Sequence, residues 1–165
     1  GLITRAFDSP LTAAIGLLVT AGLLVIAERV GKRQHRLKNL TWIDSLVIGL
    51  FQVLALFPGV SRSGATITGG MFRDLKRPPA ARFAFLMSIP VMIAAGTLTA
   101  IDLLALPNTL SLLPIYIPGF IAAAIVGYLA IRWLIKYLTG HTLYVFAAYC
   151  TLLSLITIIL ILIRS

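Results

Sequence analysis

Ser61, Arg62, Ser63 and Thr66 place three hydroxyls and a guanidinium within six residues, directly after Pro58-Gly59-Val60. These residue types suit a phosphate group. Pro58 has no N–H and Gly59 tolerates unusual dihedrals, so the pair stops a helix. Ser61 or Ser63 can cap the helix that follows. The N–H groups of Ser63, Gly64, Ala65 and Thr66 are then expected as unpaired donors at a positive helix end. Gly64 has no side chain, so an anion can approach the backbone closely. Arg62 can hold two phosphate oxygens at once. One of the hydroxyls can act as a nucleophile, although neither His35 nor His141 lies nearby in sequence to serve as a base.

The surroundings make this chemistry unusual. Apolar Leu46–Phe57 precedes the motif, and Ile67–Phe72 follows with only Thr68 and two glycines as interruption. An arginine at membrane depth costs about 2.5–3.5 kcal/mol on insertion scales, and it usually marks a functional site. The residues alone therefore point to a buried phosphate or other anion site. They do not choose between cleaving the anion and transporting it.

The motif needs elements to hold it, and these are legible as apolar blocks. Leu11–Ala27 is free of charge and spans about 25 Å as a helix, enough to cross a bilayer. Asp8 and Ser9 are its expected caps, with Pro10 in the first turn. Phe83–Ile101, Leu112–Ile131 and Leu143–Ile163 are the other expected spans, with a kink expected at Pro90. Thr41 and Asp44 form a capping box that starts a helix near Ser45. That helix meets Pro58-Gly59 after about 20 Å, too short to cross. A second short helix follows from about Ser63 to Phe72. Residues 45–72 are therefore expected as a re-entrant hairpin with Pro58–Thr66 near its tip. Irregular backbone at that depth must be buried in protein or line water. The fold class is an all-α integral membrane domain of four spanning helices plus this one hairpin.

Composition agrees with that class. Of 165 residues, 59% are hydrophobic and only 12% charged, and the mean hydropathy is +1.02. The net charge of +9 falls in clusters between apolar blocks. Arg29, Lys32, Arg33, Arg36 and Lys38 form one, and Arg73, Lys76, Arg77 and Arg82 another. Such clusters mark cytoplasmic loops and attract anionic lipid headgroups. No nucleic-acid motif accompanies the charge, so nucleic acid is not an expected partner. Gly119, Ala123 and Gly127 form a small-residue stripe suited to packing another helix, in a homodimer for example. The single cysteine, Cys150, sits in the last span and reads as a small packed thiol.

The chain offers little for a metal. Glu28 is the only glutamate, and its place before Arg29 at a helix end reads as an interfacial ion pair. Asp44 has its capping role, Asp74 sits among basic residues, and Asp8 and Asp102 flank spans. No two acids share ligand-like spacing within one apolar block.

The run Phe51-Gln52-Val53-Leu54-Ala55-Leu56-Phe57-Pro58-Gly59-Val60-Ser61-Arg62-Ser63-Gly64-Ala65-Thr66-Ile67-Thr68-Gly69-Gly70-Met71 closely resembles the bacterial undecaprenyl-diphosphatase family, also called the bacitracin-resistance protein family. Phe83–Pro90 resembles the family segment that follows. The resemblance implies a multi-pass phosphatase of the bacterial inner membrane. It would convert undecaprenyl diphosphate to the monophosphate carrier for cell-wall synthesis. It also implies two inverted repeats whose hairpin tips meet at the site. Arg62 would bind the diphosphate, and Ser61 would be nucleophile or phosphate ligand. Ser63, Gly64, Ala65 and Thr66 would support the phosphate, with Pro58 and Gly59 shaping the tip. The family's divalent cation, Mg or Ca, is associated with a two-glutamate motif that this chain lacks. The chain therefore resembles the C-terminal part of a family member and is expected to be catalytically incomplete alone. A transporter or flippase for a phosphorylated lipid is the alternative, because broken helices with anion-facing ends also occur there. A third reading is a membrane subunit whose missing half comes from another chain.

Overall fold

A computed structural model describes residues 9–105 and 109–164, and among them the fold is all-helical with no sheet. The helices are α1 (Pro10–Val30), α2 (Trp42–Val53), α3 (Arg62–Phe72), α4 (Arg77–Leu104), α5 (Thr109–Gly140) and α6 (Tyr144–Arg164). Four of them, α1, α4, α5 and α6, are long and apolar enough to cross a membrane. Asp8, expected as a cap, and residues 106–108 between α4 and α5 lie outside the described residues. Ser9 is the N-cap of α1, but its side chain makes no capping bond.

The short helices form where local chemistry starts and stops them. Thr41 Oγ1 accepts from the Asp44 N–H, and the Asp44 carboxylate accepts from the Thr41 N–H, closing the capping box of α2. After Val53 the chain tightens into one narrower turn, Leu54–Leu56, and then breaks at Phe57–Val60. Helix α3 begins at Arg62 and returns along α2. The long helices extend further than the apolar blocks. Helix α4 runs on through Pro90, and α5 includes Arg132 and Lys136 before it ends at Gly140. Long basic side chains at a helix end can reach the headgroup layer without ending the helix.

Helix α6 packs along α1, while α3 packs against α1, α2 and α4. Their shared core holds Leu24 and Ala27 of α1, Ile48 of α2, Met71 of α3, Ala81 of α4, Leu143 just before α6 and Ala147 within it. Alanines and glycines let these helices approach closely. Helices α4 and α5 pack on each other, and their distal halves expose apolar residues, from Val91 to Leu98 and from Ile115 to Leu129. Such surfaces suit lipid or another protein.

Polar contacts gather at the basic end of the bundle. Glu28 is only 3% exposed. Arg77 meets it with Nε and Nη2, each 2.6 Å from a carboxylate oxygen. Arg33 Nη1 lies 3.2 Å from Oε2, and the Leu143 N–H donates to Oε1 at 2.7 Å. Glu28 is thus ion-paired, but with Arg77 and Arg33 and not with its neighbour Arg29. Consecutive residues on a helix point apart, so the expected local pair has no geometry to form. Asp44 pairs with Arg73, and Asp74 accepts from the Lys32 N–H at 3.0 Å.

Candidate functional site

The Pro58–Thr66 turn is seated against α1. Gly59 has φ +82°, and a Cβ there would lie 2.0 Å from the Ala13 carbonyl oxygen. On the facing helix, a Cβ at Gly16 would lie 2.1 Å from the Pro58 oxygen. Backbone meets backbone at this crossing, and only glycine permits it. Thr20 Oγ1 then accepts from the Ser61 N–H at 2.9 Å while donating to the Gly16 carbonyl at 3.0 Å. One buried hydroxyl in α1 therefore fixes the start of α3. Thr20 was not singled out in the sequence, although a threonine inside an apolar span is a signal of such a role.

The first turn of α3 uses some of its own donors. Ser61 is the N-cap, and its Oγ accepts from the Gly64 N–H at 3.1 Å. The Ser61 carbonyl accepts from the Ala65 N–H at 2.8 Å. The expectation of four unpaired N–H groups from Ser63 to Thr66 is thereby corrected. The donors with no intrahelical partner are those of Arg62 and Ser63, because the cap residue takes up the next two. Gly64 is also less open than expected, since a Cβ there would meet the Thr20 methyl at 2.8 Å.

The side chains of the motif divide between two cavities. Ser61, Ser63 and Gly64 line one of about 140 Å³, with Thr20, Phe146 and Cys150 among its walls. The Ser61 and Ser63 hydroxyl oxygens are 3.4 Å apart there. Arg62 lines another, of about 290 Å³, together with Gln52 of α2 and Val91 of α4. Ala65 and Thr66 are buried and line neither. The Thr66 hydroxyl sits 2.8 Å from the Arg62 carbonyl and 3.2 Å from that of Ser63, so it holds the turn from behind. The serine cavity has no carboxylate or imidazole among its lining residues. A proton leaving Ser61 would need an acceptor from outside it.

The chain matches the family model described as "Bacitracin resistance protein BacA" over residues 1–156. It belongs to the BacA family. It is 43% identical over 158 residues to an "Undecaprenyl-diphosphatase" of Methanosphaera stadtmanae, covering 96% of this chain and 56% of that protein. A protein of the same name from Synechococcus sp. strain WH7803 is 44% identical over 147 residues, with 89% and 51% covered. A third, from Mycolicibacterium smegmatis, is 39% identical over 155 residues, with 89% and 54% covered. The BacA-family chain spans about half the length of the curated relatives it matches.

In this BacA-family chain, Glu28 and Asp44 are not free to hold a divalent cation. Glu28 is held by two arginines and a backbone N–H, and Asp44 by Arg73 and Thr41. Among the described residues, no three His, Cys, Asp or Glu side chains gather into a group that could hold a metal.

Proposed function

We propose that this chain carries the phosphate-binding part of a site that removes the terminal phosphate of undecaprenyl diphosphate. The observation that carries the reading is the α3 start. A guanidinium with no ion-pair partner among the described residues projects from a positive helix end that has two N–H groups without an intrahelical partner, and the Ser61 and Ser63 hydroxyls of the same turn line a second cavity. An anion there gains from both charge and directed hydrogen bonds. Arg62 would bind the diphosphate and stabilise charge developing on the transferred phosphoryl group. Ser61 would act as nucleophile or phosphate ligand, and Ser63 and Gly64 would border the phosphate. Ala65 and Thr66 would act indirectly, by fixing the turn that Pro58 and Gly59 open.

In this reading the α2–α3 hairpin is re-entrant. It enters and leaves on the side marked by Arg29–Lys38 and Arg73–Arg82, with its tip held at membrane depth against α1. The compartment is the bacterial inner membrane. A divalent cation, Mg or Ca, would be held by groups from outside residues 1–165, because Glu28 and Asp44 are committed to arginines and the described acids form no ligand cluster. The open stripe at Gly119, Ala123 and Gly127 would take another helix, such as that of a second copy. Residues 1–165 alone would bind the diphosphate and turn it over poorly.

Phosphate release from undecaprenyl diphosphate by residues 1–165 in nanodiscs tests this, beside a full-length relative. Binding without comparable turnover is expected, with binding lost in Arg62→Ala. Turnover matching the relative would sink the half-site reading. An Arg62→Ala variant that binds normally would sink the phosphate assignment. Movement of intact lipid diphosphate across proteoliposomes would favour transport.

A further inference from the structure

The cavity that Arg62 faces has one other polar side chain on its wall, and the oxygen of that side chain is unsatisfied. Gln52 Oε1 is buried with no hydrogen-bond partner among the described residues. The remaining walls, Gly49, Val53, Ala55, Leu56 and Val91, offer it no side-chain donor. A buried acceptor without a donor costs about as much as a lost hydrogen bond, so such groups are rare and call for an explanation. The guanidinium of Arg62 carries five N–H groups, more than a phosphate can use. Acceptor and donor thus share a small apolar-walled space, each lacking what the other has.

We propose that Gln52 is a positioning residue for Arg62: its amide oxygen accepts one guanidinium N–H and aims the remaining ones at the phosphate. The inference rests on the reading of Arg62 as the phosphate ligand. Its chemistry explains why an amide stands here. A glutamate would hold Arg62 more tightly but would cancel the charge that draws the anion. A glutamine orients the fork and leaves its charge intact. Two neighbouring turns of α2 separate Gln52 from Asp44, whose charge is already met by Arg73. Arg62 is therefore the one titratable group on the cavity wall.

The test is titration of inorganic pyrophosphate into residues 1–165 in nanodiscs, across pH 5 to about 8, where a carboxylate in a new site can change charge. Gln52→Met keeps length and volume but removes the acceptor, and it is expected to weaken binding about tenfold at every pH. Gln52→Glu is expected to bind more weakly than Gln52→Met at high pH and to recover on acidification, as its carboxyl takes a proton. A role confined to packing would give no such recovery. If both variants bind like the unchanged chain at all pH values while Arg62→Ala does not, Gln52 plays no part and the Arg62 reading stands. If Arg62→Ala also binds normally, the phosphate site itself is refuted. Should Gln52→Met fail to fold, the pH response of Gln52→Glu decides alone.

Discussion

Arg77 grips Glu28 with two nitrogens, Nε on Oε1 and Nη2 on Oε2, across 49 residues of sequence. The same carboxylate accepts the Leu143 N–H at the start of α6 and faces Arg33 in the loop after α1. One buried side chain thus joins the end of α1 to the starts of α4 and α6. Two of these helices, α1 and α4, pack against α3, so the pair helps set the frame in which the hairpin tip meets α1.

Breaking such a pair by removing one partner strands a buried charge, at a cost of about 3–5 kcal/mol. Arg77→Met should fall at the lower end, because Arg33 and the Leu143 N–H still serve Glu28. Glu28→Ala should cost more, since two arginines and an N–H lose their acceptor together. Thermal unfolding in detergent reads both. The double variant Glu28→Leu with Arg77→Leu should recover part of the loss, as the stranded charge is gone. A purely additive double variant would show that the two side chains do not act as a pair.

The crossing of Pro58-Gly59 over α1 makes a second prediction. An alanine methyl at Gly59 or Gly16 would lie within about 2 Å of a backbone oxygen, where no side-chain adjustment relieves it. Gly59→Ala also forces a Cβ into the left-handed region, which alone costs about 1–2 kcal/mol. Either change should unseat the tip, lower the melting temperature and abolish pyrophosphate binding. Gly22→Ala, inside the helix that carries Gly16 and with open space around it, is the control and should keep binding and melt no lower. Retention of full binding by Gly59→Ala would refute the close approach.

Ser61 has two jobs that substitution can separate. As N-cap it accepts the Gly64 N–H, so Ser61→Ala should cost about 1 kcal/mol of stability. Asparagine caps as well as serine does. Ser61→Asn should therefore regain that stability, yet phosphate release should stay lost when the same change is made in a full-length relative. Activity that returns together with the cap would show that Ser61 only shapes the turn.

Much of this arrangement was legible from residue types. The spans follow from uninterrupted apolar blocks, and the break at Pro58-Gly59 from backbone chemistry. The capping box at Thr41 and Asp44 is a local pattern that three residues specify. What sequence could not give depends on which face of a helix meets which neighbour. Arg62 and the two flanking serines look like one cluster in sequence. Around a helix start, however, successive residues point about 100° apart, and so Arg62 reaches a different cavity. The Thr66 hydroxyl had two kinds of acceptor available, a ligand or its own helix, and burial at 1% exposure decided for the helix. Thr20 and Gln52 were single polar residues in apolar runs. Their roles emerge only when the hairpin is folded against α1 and α4.

The capping carboxylate of α2 gives a pH prediction outside the spanning helices. Burial pushes the Asp44 carboxyl up, but the Thr41 N–H and the Arg73 guanidinium outweigh it and hold the group below its ordinary value. A carboxyl with a lowered value in the folded state stabilises the fold fully above its unfolded pKa, about 3.9. That contribution is lost as pH falls through the folded value. The melting temperature difference between the unchanged chain and Asp44→Asn should thus be constant from neutral pH down to about pH 5 and shrink at lower pH. Arginine side chains stay protonated across this range, so the change belongs to the carboxylate. Asp44→Asn also keeps an acceptor for the Thr41 N–H, which limits its cost at neutral pH to the lost ionic part. A difference that grows on acidification would have the wrong sign for a carboxylate held down by Thr41 and Arg73, and would place its stabilising partner elsewhere.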